Sequence, residues 1–314
     1  MSFMAFTVLA DDYRPPSNVP SPSLAWQGTS VDPVNGVAPE SWEKAKELGM
    51  PAFYIDNTAA NATAKNNTYG SPSLPRKTIA ETTYEAGSYV EIHGGPYSGG
   101  GQLILTADGT AEKPVWFRGT SADNLAKING ETIIKGQYVF LEYLHYVDPI
   151  KGLQLRSHRS SILHHAVVRN SVFEGNGEAV GNGSAISIYG ESPDNRYHDI
   201  VIYNNTVSNY GNNFADTDPS SGQSYENDYH GILPRANVDR VWILKNEIFN
   251  LGGDSVQVGI ASTGDANRPS HVYIADNKFY SNLENGVDVK EADYIIVSNN
   301  VIYDWKQHKD NSST

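Results

Sequence analysis

His165-Ala-Val-Val-Arg-Asn-Ser171, Ile200-Val-Ile-Tyr-Asn-Asn-Thr206, Val241-Trp-Ile-Leu-Lys-Asn-Glu247, Val272-Tyr-Ile-Ala-Asp-Asn-Lys278 and Ile295-Ile-Val-Ser-Asn-Asn-Val301 are five versions of one segment. Each alternates apolar residues and then places an asparagine: Asn170, Asn205, Asn246, Asn277 and Asn300. Two positions later an apolar residue returns, as Val172, Val207, Ile248, Phe279 and Ile302. The asparagines are 35, 41, 31 and 23 residues apart. The shortest step has room for three short strands and tight turns, and the longer ones add a loop. One such repeat cannot bury its apolar face alone; stacked repeats share a continuous core. An amide at the same turn of every repeat can donate to one neighbour and accept from the other, forming a ladder.

A second strand repeats in step with the first. Gly152-Leu-Gln-Leu-Arg-Ser157, Ala185-Ile-Ser-Ile-Tyr-Gly190, Gly231-Ile-Leu-Pro-Arg-Ala236, Ser255-Val-Gln-Val-Gly-Ile260 and Gly286-Val-Asp-Val-Lys-Glu291 align without gaps. Leu153, Ile186, Ile232, Val256 and Val287 point inward, as do Leu155, Ile188, Pro234, Val258 and Val289. A period of two then fixes two outward columns. One is Gln154, Ser187, Leu233, Gln257 and Asp288; the other is Arg156, Tyr189, Arg235, Gly259 and Lys290. Fainter repeats begin at Ser88, Lys113 and Gln137.

The chain has 314 residues, a formal charge of −13 and no cysteine. The missing cysteines exclude disulfide scaffolds, thiolate zinc sites and thiol nucleophiles. The acidic balance argues against a nucleic-acid partner. No apolar run approaches the roughly 18 residues of a membrane span. Met1–Ala10 lacks a basic start, so it is not read as a signal peptide. With 28 Gly, 19 Tyr and only 19% charged residues, an all-β, turn-rich fold is expected. The Pro-rich stretch 11–35 reads as an extended arm. Residues 40–48 form the one convincing helix, which is expected to plug the N-terminal end of the stack. The division is thus 1–51, arm and capping helix, and 52–314, the repeat domain; the last repeat ends near Tyr303, before a polar tail.

Tyr54-Ile-Asp-Asn57, Pro75-Arg-Lys-Thr-Ile79, Gly253-Asp-Ser-Val-Gln-Val-Gly259 and Glu284-Asn-Gly-Val-Asp-Val-Lys290, together with the repeats, resemble the right-handed parallel β-helix proteins of the pectate-lyase-like superfamily. The resemblance spans roughly residues 52–303. It implies a right-handed parallel β-helix and polysaccharide-directed activity, and hence an extracellular setting. β-Helix lyases of the chondroitinase B, alginate lyase and pectate lyase types use a Lys base, an Arg and often Ca²⁺ on acidic residues. By that resemblance Lys290 takes the base role and Arg235 the Arg role, although in the chondroitinase-like order the Arg follows the Lys. Asp254, Glu284 and Asp288 are the candidate Ca²⁺ ligands, all oxygen donors as a hard cation prefers.

The residues themselves point the same way. Arg156, Arg235 and Lys290 share one column at steps of two repeats, about 10 Å each. A basic stripe on an acidic protein suits a polyanion such as a uronate polysaccharide. β-Elimination needs a base for the proton beside the carboxylate, a cation to neutralise that carboxylate, and a donor for the departing oxygen. His230 is a second acid–base candidate, following an insertion over 211–228 that contains Asp216, Asp218, Glu226 and Asp228. Tyr189 can donate a proton or stack on a sugar. Gln257 lines the face, and Gly259 is expected to leave an open notch between Arg235 and Lys290. His158, His164 and His165 read as turn and core-edge residues. A glycoside hydrolase on the same fold stays open, because Asp254 and Asp288 lie on neighbouring repeats. So does a non-catalytic, homotrimeric tailspike or adhesin that grips a glycan; otherwise a monomer is favoured.

Overall fold

The computed structural model describes residues 31–63, 69–147, 152–156, 163–177, 182–211, 228–260 and 264–305. The chain is all-β apart from short helical turns, and its strands pair in parallel. The first described element is a six-residue helix, α1 (Trp42–Glu47), followed by β1 (Ala52–Asp56), β2 (Thr83–Glu85), β3 (Tyr89–His93), β4 (Gln102–Asp108), β5 (Val115–Arg118) and β6 (Ala126–Ile128). A long strand, β7 (Glu131–Glu142), is followed by β8 (Leu144–Tyr146).

From there the strands come in threes. They are β9 (Leu153–Arg156), β10 (His164–Arg169) and β11 (Val172–Glu174); β12 (Gly183–Tyr189), β13 (Tyr197–Tyr203) and β14 (Thr206–Ser208); and β15 (Tyr229–Ala236), β16 (Val238–Leu244) and β17 (Glu247–Phe249). Then come β18 (Val256–Val258), β19 (Ser270–Ala275) and β20 (Lys278–Tyr280), and finally β21 (Val287–Val289), β22 (Asp293–Ser298) and β23 (Val301–Tyr303). Members of successive triplets pair with one another, which makes three walls of parallel strands. The first runs β9-β12-β15-β18-β21, the second β10-β13-β16-β19-β22, and the third β11-β14-β17-β20-β23. This arrangement is compatible with a parallel β-helix. The inward residues of the walls form one core, in which Ile186, Ile232, Val256, Ile243, Phe173 and Ile248 are fully buried. Burying each such side chain contributes roughly 1.5–3 kcal/mol, before the entropy of ordering it.

The asparagine ladder is present, with its first rung one residue from where the sequence alignment places it. Asn205, Asn246 and Asn277 each donate side-chain Nδ2 to the Oδ1 of the next rung, at 3.0, 3.0 and 2.9 Å. Each also donates to the carbonyl of Val168, Ile202 or Ile243. The rung before Asn205 is Ser171, whose amide donates to Asn205 Oδ1 at 3.0 Å. Asn170 sits beside Asn204 instead, accepting its Nδ2 at 2.8 Å, and both have left-handed backbones. Consequently Phe173, not Val172, is the inward residue level with Val207.

One feature of the outer surface has no counterpart in the sequence reading. Glu91, Arg118, Glu142 and Arg169 stand side by side on β3, β5, β7 and β10, with alternating charge. All four are buried. Glu142 is held by Arg118 Nε at 2.9 Å and Arg169 Nε at 2.8 Å. Residues 33–42 run along this file. Arg169 donates to the carbonyls of Pro33, Val34 and Gly36, Arg118 donates to that of Pro39, and the Trp42 amide donates to Glu91. The helix follows, started by the Ser41 side chain, which accepts from the Lys44 amide. Ala45, its buried residue, packs with Ala52, Tyr89 and Trp116 in an outer-face cluster and not in the main core. The Pro-rich stretch up to residue 30 and the polar tail from 306 lie outside the described residues.

Candidate functional site

The first wall carries both outward columns that the repeat pattern defines. Arg156 pairs with Tyr189, and Gln257 with Asp288, as the alignment requires. The register slips after Ile188, so that Tyr189 lies level with Ala236 and Arg235 bulges. Pro234 has no N–H to continue the ladder, which accounts for a bulge at this point. The displaced guanidinium of Arg235 lies over the Tyr189 ring, 5.8 Å from its centre. Among the described residues Arg235 makes no ion pair. The other two cations are engaged. Arg156 Nη2 meets Glu131 Oε1 at 3.1 Å, and Lys290 Nζ meets Asp288 Oδ2 at 2.5 Å. Tyr189 and Lys290 are well exposed.

Two expectations on this wall are corrected. Gly259 does not leave a notch. Its φ is +79°, and a Cβ there would fall 2.3 Å from the carbonyl oxygen of Glu291, so the missing side chain lets the next repeat approach. Gln257 is buried and donates Nε2 to the Gly259 carbonyl at 3.1 Å, which turns its amide into the wall.

At the other end of the same strands four titratable side chains converge. His230 lies near the start of β15, two residues after Asp228; Asp254 precedes β18; Glu284 precedes β21. One ligand atom from each lies within 4.8 Å of all the others. His230 Nε2 is 3.0 Å from Asp228 Oδ1, and its Nδ1 is 3.3 Å from Asp254 Oδ2. The Asp254 amide also points at Nδ1, at 3.2 Å. Asn285 fixes Asp254 by giving both its backbone N–H and its Nδ2 to Oδ1, each at 2.9 Å. Oδ2 of Asp254 is buried, with His230 Nδ1 as its ion-pair partner.

The electrostatics follow from this crowding. Burial opposes a charge on His230, but Asp228 and Asp254 outweigh it and push the pKa up to about 9. Glu284 is pushed up to about 7, first by burial and then by the charges of Asp254 and Asp228. Asp228 is lowered, chiefly by its hydrogen bond to His230. The hydrogen bond to Asp288 holds Lys290 above its ordinary value, against a smaller effect of burial; the charges of Asp288, Asp254 and Glu284 act in the same direction. The cluster and Lys290 therefore share one field.

Three carboxylates and an imidazole whose ligand atoms converge within 4.8 Å are a donor set able to hold a divalent cation. Two of the expected ligands, Asp254 and Glu284, belong to this group. Asp288 does not, because its carboxylate is turned onto Lys290. Asp228 and His230 take its place. Of the insertion's other acidic residues, Asp216, Asp218 and Glu226 lie outside the described residues, as does His158. Asp228 could have been found as a carboxylate two positions before His230; nothing in the sequence marks Asn285. Comparison with protein-family models, with curated proteins and with solved structures finds no match for this chain.

Proposed function

We propose that the chain is a right-handed parallel β-helix polysaccharide lyase that cleaves a uronate-containing glycan, such as alginate or pectate, by β-elimination. The observation that supports this reading is that the Asp228–His230–Asp254–Glu284 cluster belongs to the same wall as Lys290, Arg235 and Tyr189, and that the charges of Asp254 and Glu284 act on Lys290. No helix among the described residues is long and apolar enough to cross a membrane. A polymeric substrate of this kind places the reaction outside the cell.

Arg235 and Arg156 bind and orient the polyanion, and the Tyr189 ring stacks on a sugar. Lys290 takes the proton next to the uronate carboxylate as the neutral amine, after substrate displaces Asp288 and the ammonium has given its own proton to solvent. His230, charged at neutral pH, is the proton donor on the cluster side. A divalent cation held by Asp228, Asp254 and Glu284 would neutralise the substrate carboxylate and favour loss of the adjacent proton. These carboxylate ligands suit Ca²⁺.

A second reading, glycoside hydrolysis, has one observation in its favour: Glu284, with its pKa near 7, is an acid at working pH. A retaining hydrolase pairs two carboxyls at about 5–5.5 Å, and the products separate the two chemistries. A screen of alginate, pectate and chondroitin sulfate by ultraviolet absorbance tests the proposal. Lyase action creates a C=C bond conjugated to the uronate carboxylate, and Lys290→Ala should abolish the signal. Absorbance that persists in Lys290→Ala removes that residue from the mechanism. A folded protein that leaves all three polymers intact, with or without Ca²⁺ or Mn²⁺, defeats the proposal.

A further inference from the structure

The second wall carries a polar file that the glycan reading does not use. Tyr138, His165, Asp199, Arg240, His271 and Tyr294 occupy one register on successive strands, and each has a left-handed backbone. That conformation is inexpensive for Gly or Asn and costly for most other residues. At 165, 199 and 271 it is given to His and Asp, side chains able to bind a metal.

Two imidazoles and one carboxylate meet in this file. His198 Nδ1 is 2.6 Å from Asp199 Oδ2, and His165 Nε2 is 3.9 Å from the same oxygen. The second distance is too long for a direct hydrogen bond. It and the 2.6 Å hydrogen bond bracket the roughly 3.3–3.4 Å between two ligands of a tetrahedral cation, so a bound ion would replace the His198 proton at Oδ2 and draw His165 Nε2 inward. His164 Nδ1 lies 2.7 Å from His165 Nδ1, so the proton of that nitrogen pair lies between the rings. His165 Nε2 is thereby the nitrogen left to face Asp199. The His164 ring stacks on His198 at 5.1 Å, and Tyr138 stacks on His165 at 4.4 Å. Arg240 fixes the carboxylate by donating Nε to Oδ1 at 2.6 Å and Nη2 to Oδ2 at 2.9 Å.

We propose that His165, His198 and Asp199 form a second divalent-metal site, of the Zn²⁺ class, on the wall away from the glycan cluster. Arg240 already balances the charge of Asp199, so the imidazoles supply most of the affinity. The site should therefore take nitrogen-preferring ions such as Zn²⁺ or Co²⁺ and ignore Ca²⁺. His164 acts as a positioning residue that fixes which nitrogen of His165 is presented. The proposal does not depend on the lyase reading.

The test is calorimetric titration of the full chain, stripped of metal, with Zn²⁺. One equivalent should weaken at least tenfold in His198→Ala and in His165→Asn; asparagine is chosen because it tolerates the left-handed backbone. The same equivalent should persist in Glu284→Gln and in excess Ca²⁺, and depolymerisation should not change in the two histidine variants. Co²⁺ bound to the unmutated chain supplies a check that needs no variant, since tetrahedral Co²⁺ held by imidazoles gives intense visible bands where octahedral, all-oxygen Co²⁺ gives only weak ones. Unaltered Zn²⁺ binding in both histidine variants would overturn the site. So would loss of the equivalent in Glu284→Gln alone, or Co²⁺ without those bands.

Discussion

Lys290 is held in its charged form by Asp288, and the two residues make separate predictions. With Lys290 largely exposed, Lys290→Ala should leave stability within about 0.5 kcal/mol while removing lyase activity. Urea unfolding and the ultraviolet assay read the two effects independently. Asp288→Asn removes the largest cause of the raised pKa. The deprotonated base then becomes available at lower pH, so the acid limb of the kcat/KM profile should move down. An unmoved limb would mean that Lys290 is not the group titrating in catalysis. Asp254 belongs to the same scale. Its buried carboxylate is crowded by Glu284 and Asp228, and a bound cation would relieve that repulsion. Removing divalent ions with EDTA should accordingly lower both activity and melting temperature; no change in either would exclude a cation at this cluster.

Among the elements, the ladder was legible in the sequence because an asparagine at a fixed turn has a chemical reason to recur. Its first rung was not legible. Asn170 and Asn204 look like ladder residues, yet they occupy a left-handed position that also favours asparagine, and only strand register separates the two roles. The buried file Glu91–Arg118–Glu142–Arg169 was overlooked although it left a trace: one charge per repeat amid apolar strands, with alternating sign. The cluster at Asp228, His230, Asp254 and Glu284 was read in part. Its members lie near strand starts, where insertion length decides which side chains meet. Asn246→Ala deprives Asn205 Nδ2, the Asn205 amide and the Ile202 carbonyl of partners, and should cost about 3 kcal/mol in urea unfolding. Glu142→Ala leaves two buried guanidiniums without their anion and should cost about 3–5 kcal/mol. It should also loosen the docked residues 33–42, which limited proteolysis would detect as new cleavage there.

Across the molecule, the parallel walls carry different side-chain groups. One presents the acidic cluster with Lys290, one presents the histidine file, and the shared core beneath keeps both in register. The cluster couples the fold to pH. His230 has a folded pKa of about 9, above the ordinary 6.5. Its contribution to stability is thus fully present below about pH 6.5 and is lost as pH rises through 9. In metal-free protein the melting temperature should fall over that interval, and His230→Gln should flatten the fall. The central claim, elimination on a uronate at this wall, is tested most directly by following one digest of a polyuronate with two readings, ultraviolet absorbance and reducing ends. The account predicts one new C=C bond for every new reducing end, from the first minutes onward. New reducing ends without matching absorbance would contradict it.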